Sequence, residues 1–190
     1  MSVVHHVQDD VFEIPEFLSL PECDDLIKRS EKLGFANATI ETPAGPIQHI
    51  GVRNNQRVVV EDDDLAAALW LRLAEVIPAI FKGREALGLN ERIRFYRYDA
   101  GERFNWHRDG FVEFGDGRLS QFTFLIFLND DYEGGLTSFR DKRFPTFVVE
   151  PKAGSALLFH HPISHRGDKV MAGRKYVLRS DVVYGPSVQA

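Results

Sequence analysis

Apolar residues repeat along this chain with two different periods, and the change falls near Asn90. Ahead of it lie two stretches with helical spacing. In the first, Cys23, Leu26, Ile27 and Ser30 fall on one face with charges opposite, the stripe of a helix packed on one side. Ser19 with Glu22 has the spacing of a capping box, Pro21 sits in the first turn, and Gly34 marks the stop. The second follows the acidic turn Glu61 to Asp64 and runs from Leu65 to Phe81, with Leu65, Leu69, Leu73, Val76, Ile77 and Ile80 at helical intervals. Asp10 to Phe17, with Pro15 inside, reads as an edge strand or an extended lead-in. Glu41 to Asn55 carries two prolines and two glycines and reads as a loop leading into the strand Gln56 to Val60.

Beyond Asn90 the period becomes that of strands: Arg92 to Tyr98, Trp106 to Asp109, Leu119 to Leu128, Phe147 to Glu150, Ala156 to Phe159 and Lys175 to Tyr184, separated by Gly, Pro, Asn and Asp. Phe122, Phe124, Ile126 and Leu128 share one face of the third, and Thr123, Leu125, Phe127 and Asn129 the other. Both faces are largely apolar, as in a central strand covered on both sides. Thr123 and Asn129 therefore need polar partners, because an unpaired buried hydroxyl or amide costs ~1–3 kcal/mol. The pattern predicts an α+β chain, mainly β: a sandwich or jelly roll with two helices leaning on it. It predicts one domain over residues 1–190, with 1–90 as helical support and lid loops and 91–184 as the jelly roll.

Composition narrows the partners. The 190 residues are 44% hydrophobic, ample for one core. Twenty-three basic against 28 acidic residues leave a net charge of -5, which makes nucleic acid an unfavoured partner. Cys23 is the only cysteine, which excludes an internal disulfide and fits a reducing compartment. No apolar run is long enough to span a membrane, and the first residues lack a signal-like apolar stretch, so a soluble cytoplasmic protein is expected. The sequence leaves the oligomeric state open.

The candidate chemistry begins at His107 and Asp109, two residues apart in Arg94 to Gly110 (RFYRYDAGERFNWHRDG). In a strand such residues point to the same face. With one more histidine they would make a 2-His-1-carboxylate triad that binds Fe(II) and leaves coordination positions open. His160, His161 and His165 are available, and His165 is the best placed, fifty-six residues after Asp109 and just before the turn His165 to Gly167. Ten residues further, Lys175 begins the last strand, with Val177, Arg179 and Asp181 on its face. A lysine aimed into an apolar interior requires an anion, and a carboxylated co-substrate is the natural one. Arg179 has a simpler use, pairing with Asp181. Gly134 and Gly135 suit positive φ or close backbone approach, and Arg53 to Asn55 reads as a solvated turn or, less favoured, a substrate contact.

His107 to Asp109, NDDYEGGLTSF from Asn129, HRGDKV from His165 and GRKYVLRSDVVY from Gly173 resemble the 2-oxoglutarate and Fe(II)-dependent oxygenase superfamily, in particular the catalytic domain of prolyl 4-hydroxylases. The resemblance covers about Asn90 to Tyr184. It implies a double-stranded β-helix of the jelly-roll, cupin-like kind, iron on His107, Asp109 and His165, and 2-oxoglutarate with its distal carboxylate on Lys175. Tyr98 and Thr123 fall where relatives contact the co-substrate, and Arg174 and Arg179 are alternatives to Lys175. It further implies an oxidoreductase, a dioxygenase that consumes O2 and 2-oxoglutarate, releases succinate and CO2, and hydroxylates a C–H bond of a prolyl-like peptide residue or a small molecule such as an amino acid. Ascorbate is a further candidate cofactor. Two other readings remain: a catalytically silent jelly-roll sensor, and a divalent-metal hydrolase, for which no general base stands out.

Overall fold

The computed structural model describes residues 4–39, 45, 47 and 49–187. The chain opens with a hairpin of β1 (His5–Gln8) and β2 (Val11–Ile14), followed by helix α1 (Leu20–Leu33), β3 (Ala36–Asn37), β4 (Gln56–Glu61) and helix α2 (Asp63–Leu73). Then come β5 (Ile80–Phe81), β6 (Arg84–Leu89), β7 (Arg92–Asp99), β8 (Phe104–His107) and β9 (Leu119–Phe127). The remainder is β10 (Glu133–Gly134), β11 (Thr137–Asp141), β12 (Phe144–Val149), β13 (Ala156–His160), β14 (Ser164–Gly167), β15 (Val170–Ala172) and β16 (Arg174–Tyr184).

Local chemistry accounts for the helix ends. In α1 the Ser19 hydroxyl accepts from the Glu22 amide while the Glu22 carboxylate accepts from the Ser19 amide, and Gly34 closes the helix with φ at 84°. Helix α2 starts on Asp62, whose carboxylate accepts from Leu65 N–H. It ends at Leu73, short of the Phe81 that its apolar spacing suggested. Pro78 lacks an amide and turns the preceding residue away from helical backbone, so the apolar residues beyond it go elsewhere. Ile80 and Phe81 pair with Glu85 and Arg84 around Lys82 and Gly83, both at positive φ, as a two-residue hairpin requires.

The larger sheet runs β1-β2-β13-β9-β16-β7-β4-β3, with β6 also on β16 and β5 on β6. The smaller runs β12-β11-β14-β8, and β10 pairs with β15. This is the mainly β, jelly-roll arrangement expected, yet β2 is flanked by β1 and β13 and so is not an edge. Strands from before Asn90 also lie in the larger sheet, beside those after it.

Alternation divides the interior in two. Phe122, Phe124, Ile126, Leu178, Val182 and Tyr184 meet Leu69, Leu73 and Cys23 of the helices in one cluster. Phe127, Val177, Tyr96, Tyr98, Leu157 and Phe159 face the smaller sheet and meet Phe139, Phe144 and Val149 in the other. Each buried aliphatic or aromatic side chain contributes roughly 1.5–3 kcal/mol on leaving water. Thr123, Lys175 and Arg179 face this second, inter-sheet layer, and the candidate chemistry lies there.

Candidate active site

Two strands of the smaller sheet present the histidines. His165 on β14 is opposite His107 on β8, with ring centroids 4.2 Å apart. His165 thus lies within a strand rather than before a turn. Each ring uses its Nδ1 on a backbone carbonyl, His107 on Asn105 at 2.8 Å and His165 on Ile163 at 3.0 Å. If Nδ1 carries the proton in each, both Nε2 lone pairs are left to converge. A carbonyl fixing tautomer and ring orientation is the usual support behind a metal-bound imidazole.

Asp109 lies two residues past the end of β8, so strand alternation is not what orients it. Its carboxylate instead reaches across to the larger sheet, where Thr123 of β9 donates to Oδ2 at 2.6 Å and Arg179 of β16 donates to Oδ1 at 2.8 Å. Its oxygens are 3.7 Å from His107 Nε2 and 3.5 Å from His165 Nε2. One ligand atom from each of the three residues lies within 4.8 Å of the others. Two imidazole nitrogens and one carboxylate on one side of a point suit Fe(II) with positions left open.

The protonation states suit a metal. Burial, then the neighbouring His165, pull His107 down to about 3, so it is a neutral donor at pH 7. Burial opposes the charged form of Asp109, but Arg179, the two histidines and Thr123 outweigh it and hold the carboxyl well below its usual range.

A chain of hydrogen bonds stands behind Asp109. Val112 N–H donates to Ser120 Oγ at 2.8 Å, Ser120 Oγ meets His161 Nε2 at 3.0 Å, and His161 Nδ1 meets Thr123 Oγ1 at 2.9 Å. Since Thr123 spends its proton on Asp109, His161 must donate from Nδ1 and accept from Ser120 at Nε2. Nothing in the sequence separated His161 from its two neighbours; its role comes from β13 and β9 being adjacent in the sheet. The polar partner required by Thr123 is therefore a side-chain network. For Asn129 it is β16, whose Tyr176 amide donates to Asn129 Oδ1 and whose Arg174 carbonyl accepts from Nδ2.

Lys175 is buried, and its Nζ donates to the Gly135 carbonyl at 2.6 Å. Burial pulls its ammonium down to about 7. Gly135 has φ at 62°, and a Cβ there would come within 2.9 Å of Tyr132 and 3.3 Å of the Lys175 side chain. Tyr98 and Thr123 line the same enclosed space as Lys175, Arg179 and the three triad residues. This space, about 40 Å³, has room for only a few water molecules. A dicarboxylate is larger than this space, so its binding requires side chains of the lining to move. A buried ammonium held by a carbonyl and by the rings of Tyr98, Phe127 and Tyr132, with no anion hydrogen-bonded to it among the described residues, suits an incoming carboxylate. Arg179 holds both Asp109 and Asp181. Arg174 pairs instead with Asp99 at 2.5 Å.

A wider cavity of about 400 Å³ is also lined by His107, Asp109 and Arg179, and Arg53 forms part of its wall. Arg53 to Asn55 is accordingly not a solvated turn, because Arg53 is 4% and Asn55 1% exposed.

Residues 93–180 match the sequence model of the 2OG-Fe(II) oxygenase superfamily, a stretch containing all three triad residues. No curated protein matches the sequence. Among solved structures the fold is similar to a prolyl 4-hydroxylase from Pseudomonas putida, with a TM-score of 0.71 at 16% identity over 91% of this chain and 92% of that one. A prolyl hydroxylase from Trichoplax adhaerens, in complex with a hypoxia inducible factor oxygen degradation domain peptide fragment, gives 0.73 at 16% identity over 92% and 84%. A viral collagen prolyl hydroxylase from Paramecium Bursaria Chlorella virus-1, in a 2OG complex, gives 0.65 at 19% over 93% and 96%. The matched stretch of sequence and the fold are thus both similar to those of 2-oxoglutarate/Fe(II) oxygenases, a class of hydroxylase enzymes. Within that class its fold is that of the prolyl 4-hydroxylase type.

Proposed function

We propose that the chain works as one Fe(II)- and 2-oxoglutarate-dependent dioxygenase domain that hydroxylates a C–H bond of a prolyl-like peptide residue or of a small molecule such as an amino acid. The observation that carries this is the convergence of His107, Asp109 and His165 beside a buried Lys175 whose ammonium is held by a carbonyl. A silent sensor domain has no need of both.

In this reading His107 and His165 hold the metal through Nε2 and Asp109 through a carboxylate oxygen. When bound, Fe(II) and 2-oxoglutarate supply the oxidising power, with O2 consumed and succinate and CO2 released. The chain binds, orients and excludes water. Lys175 takes the distal carboxylate of 2-oxoglutarate, and Tyr98 and Phe127 keep that end dry. Thr123 and Arg179 fix Asp109, and either also lies close enough to contact the co-substrate. Ascorbate is proposed only as an auxiliary reductant, and the lone buried Cys23 suits action in a reducing, cytoplasmic setting.

The test is direct. His107→Ala and Asp109→Ala are expected to lose both Fe(II) binding and succinate formation, and a purified variant that keeps full turnover would sink the assignment. Untargeted mass spectrometry of lysate treated with the wild-type enzyme, with and without 2-oxoglutarate, is expected to reveal a product heavier by one oxygen.

A further inference from the structure

Positive charge predominates in the wall of the wider cavity. Among the described residues it contains five arginines against two aspartates, a formal surplus of three positive charges in a protein whose net charge is -5. Arg94 pairs with Asp181 at 3.0 Å and Arg179 with Asp109 at 2.8 Å. Arg53, Arg57 and Arg108 make up the rest, and Arg57 donates to Thr39 at 2.8 Å.

Arg53 is the informative member. Its guanidinium lies over the rings of Tyr96, at 4.6 Å, and Phe104, at 4.3 Å. Nε donates to Asn55 Oδ1 at 2.7 Å, which aims the fork. One terminal nitrogen, Nη2, is buried without a hydrogen-bond partner among the described residues. An unpaired, desolvated guanidinium nitrogen is costly unless something anionic completes it.

The placement is built by backbone pairing. Arg53 bridges to Phe104, Asn105 N–H donates to Val52 O at 2.8 Å, and Arg103 N–H donates to Asn54 Oδ1 at 2.8 Å. The segment is thus stitched to β8, the strand that ends in His107. Phe104, beneath Arg53, stacks on the His107 ring with centroids 3.5 Å apart. The guanidinium therefore stands one aromatic ring away from His107, in the wall of a cavity that Lys175 does not line.

We infer that the substrate carries an anionic group, a carboxylate or a phosphate, which Arg53 binds bidentately while the carbon to be oxidised faces the triad. This rests on the proposed function. Planar guanidinium forks match both anions, and cation–π contacts hold the fork in place without consuming its donors. The surplus charge concentrates such a ligand despite the protein's overall negative sign.

The test uses protein loaded with Mn(II) and 2-oxoglutarate, in which Lys175 is already occupied and no turnover takes place. Sulfate is added at constant ionic strength while arginine side-chain Nε signals are followed by NMR. The Arg53 signal is expected to move saturably, ahead of exposed Arg118, and Arg53→Met to weaken sulfate binding at least tenfold. An unmoved Arg53 signal in the wild-type protein overturns the inference even if the variant fails to fold. So does a folded variant that binds sulfate as the wild type does.

Two matched pairs then identify the anion: N-acetylproline against N-acetylprolinamide, and N-acetyl-O-phosphoserinamide against N-acetylserinamide. The charged member of one pair is expected to bind at least tenfold more tightly, and that pair distinguishes carboxylate from phosphate. Equal binding within both pairs overturns the inference. These arms read binding alone. A protein that binds the anions but never forms succinate would defeat the proposed function and leave the anion site standing, while succinate formation driven equally by neutral substrates would do the reverse.

Discussion

Thr123 carries the most interaction per atom in the site, since one hydroxyl meets both Asp109 and His161. Replacing it by valine keeps the shape but leaves the His161 N–H and one carboxylate oxygen unpaired. Partners behind metal ligands typically contribute 10–100-fold to metal affinity. Thr123→Val is therefore expected to raise the Mn(II) or Fe(II) dissociation constant by about that factor, with Thr123→Ser close to wild type; equal affinity in all three proteins would remove the network from the mechanism. Lys175 makes a different prediction. With its pKa lowered from 10.5 to about 7, free protein holds it largely neutral above pH 7, and anion binding must then take up a proton. The 2-oxoglutarate dissociation constant, measured calorimetrically with Mn(II), is expected to rise with pH above 7 by up to about tenfold per unit. In Lys175→Met the affinity should be weak and nearly independent of pH.

Elements decide how firmly these residues are held. Gly135 sits at positive φ between β10 and β11, where a Cβ would meet Tyr132 and the Lys175 side chain. Gly135→Ala is expected to cost on the order of 1–2 kcal/mol in backbone strain and, by moving the carbonyl that parks Lys175, to raise the 2-oxoglutarate requirement. A stability loss with unchanged co-substrate affinity would make the glycine purely structural. In α1, far from the site, Ser19→Ala removes half of the capping box and should lower stability by ~1 kcal/mol in urea unfolding without altering 2-oxoglutarate affinity.

Across the whole molecule, buried histidines couple stability to acid. His160 lies against Phe81 and Phe122 with Lys82 beside it, and burial, then Lys82, lower it to about 4. The unfolded chain therefore binds more protons than the folded one between about pH 6.5 and 4, and stability falls as pH drops through that window. Urea midpoints at pH 7, 5 and 4 should decline less steeply in His160→Phe. Between pH 7 and 10.5 the same linkage runs through Lys175, lowered in the fold, so its contribution to stability rises with pH and disappears in Lys175→Met. Among the described residues no helix is long and apolar enough to cross a membrane.

The sequence by itself determined what depends on neighbours along the chain. Alternation assigned the two faces of β9 and β16 correctly, so Thr123, Lys175 and Arg179 were placed toward the interior between the sheets. Capping chemistry located α1, and the four motifs after Asn90 pointed to the jelly roll. Val76, Ile77 and Ile80 have helical spacing, yet α2 stops at Leu73, and Pro78 bars a helix from running on to Phe81. What only the tertiary structure decided is whatever crosses between strands distant in sequence. His161 gains its role because β13 lies beside β9, and Asp109 is aimed by Thr123 and Arg179 from the opposite sheet. Arg53, polar and in a loop, reads as solvated until its pairing with Phe104 buries it between two rings beside His107. Periodicity records which face a side chain takes, whereas desolvation and charge pairing exist only once the sheets have closed on one another.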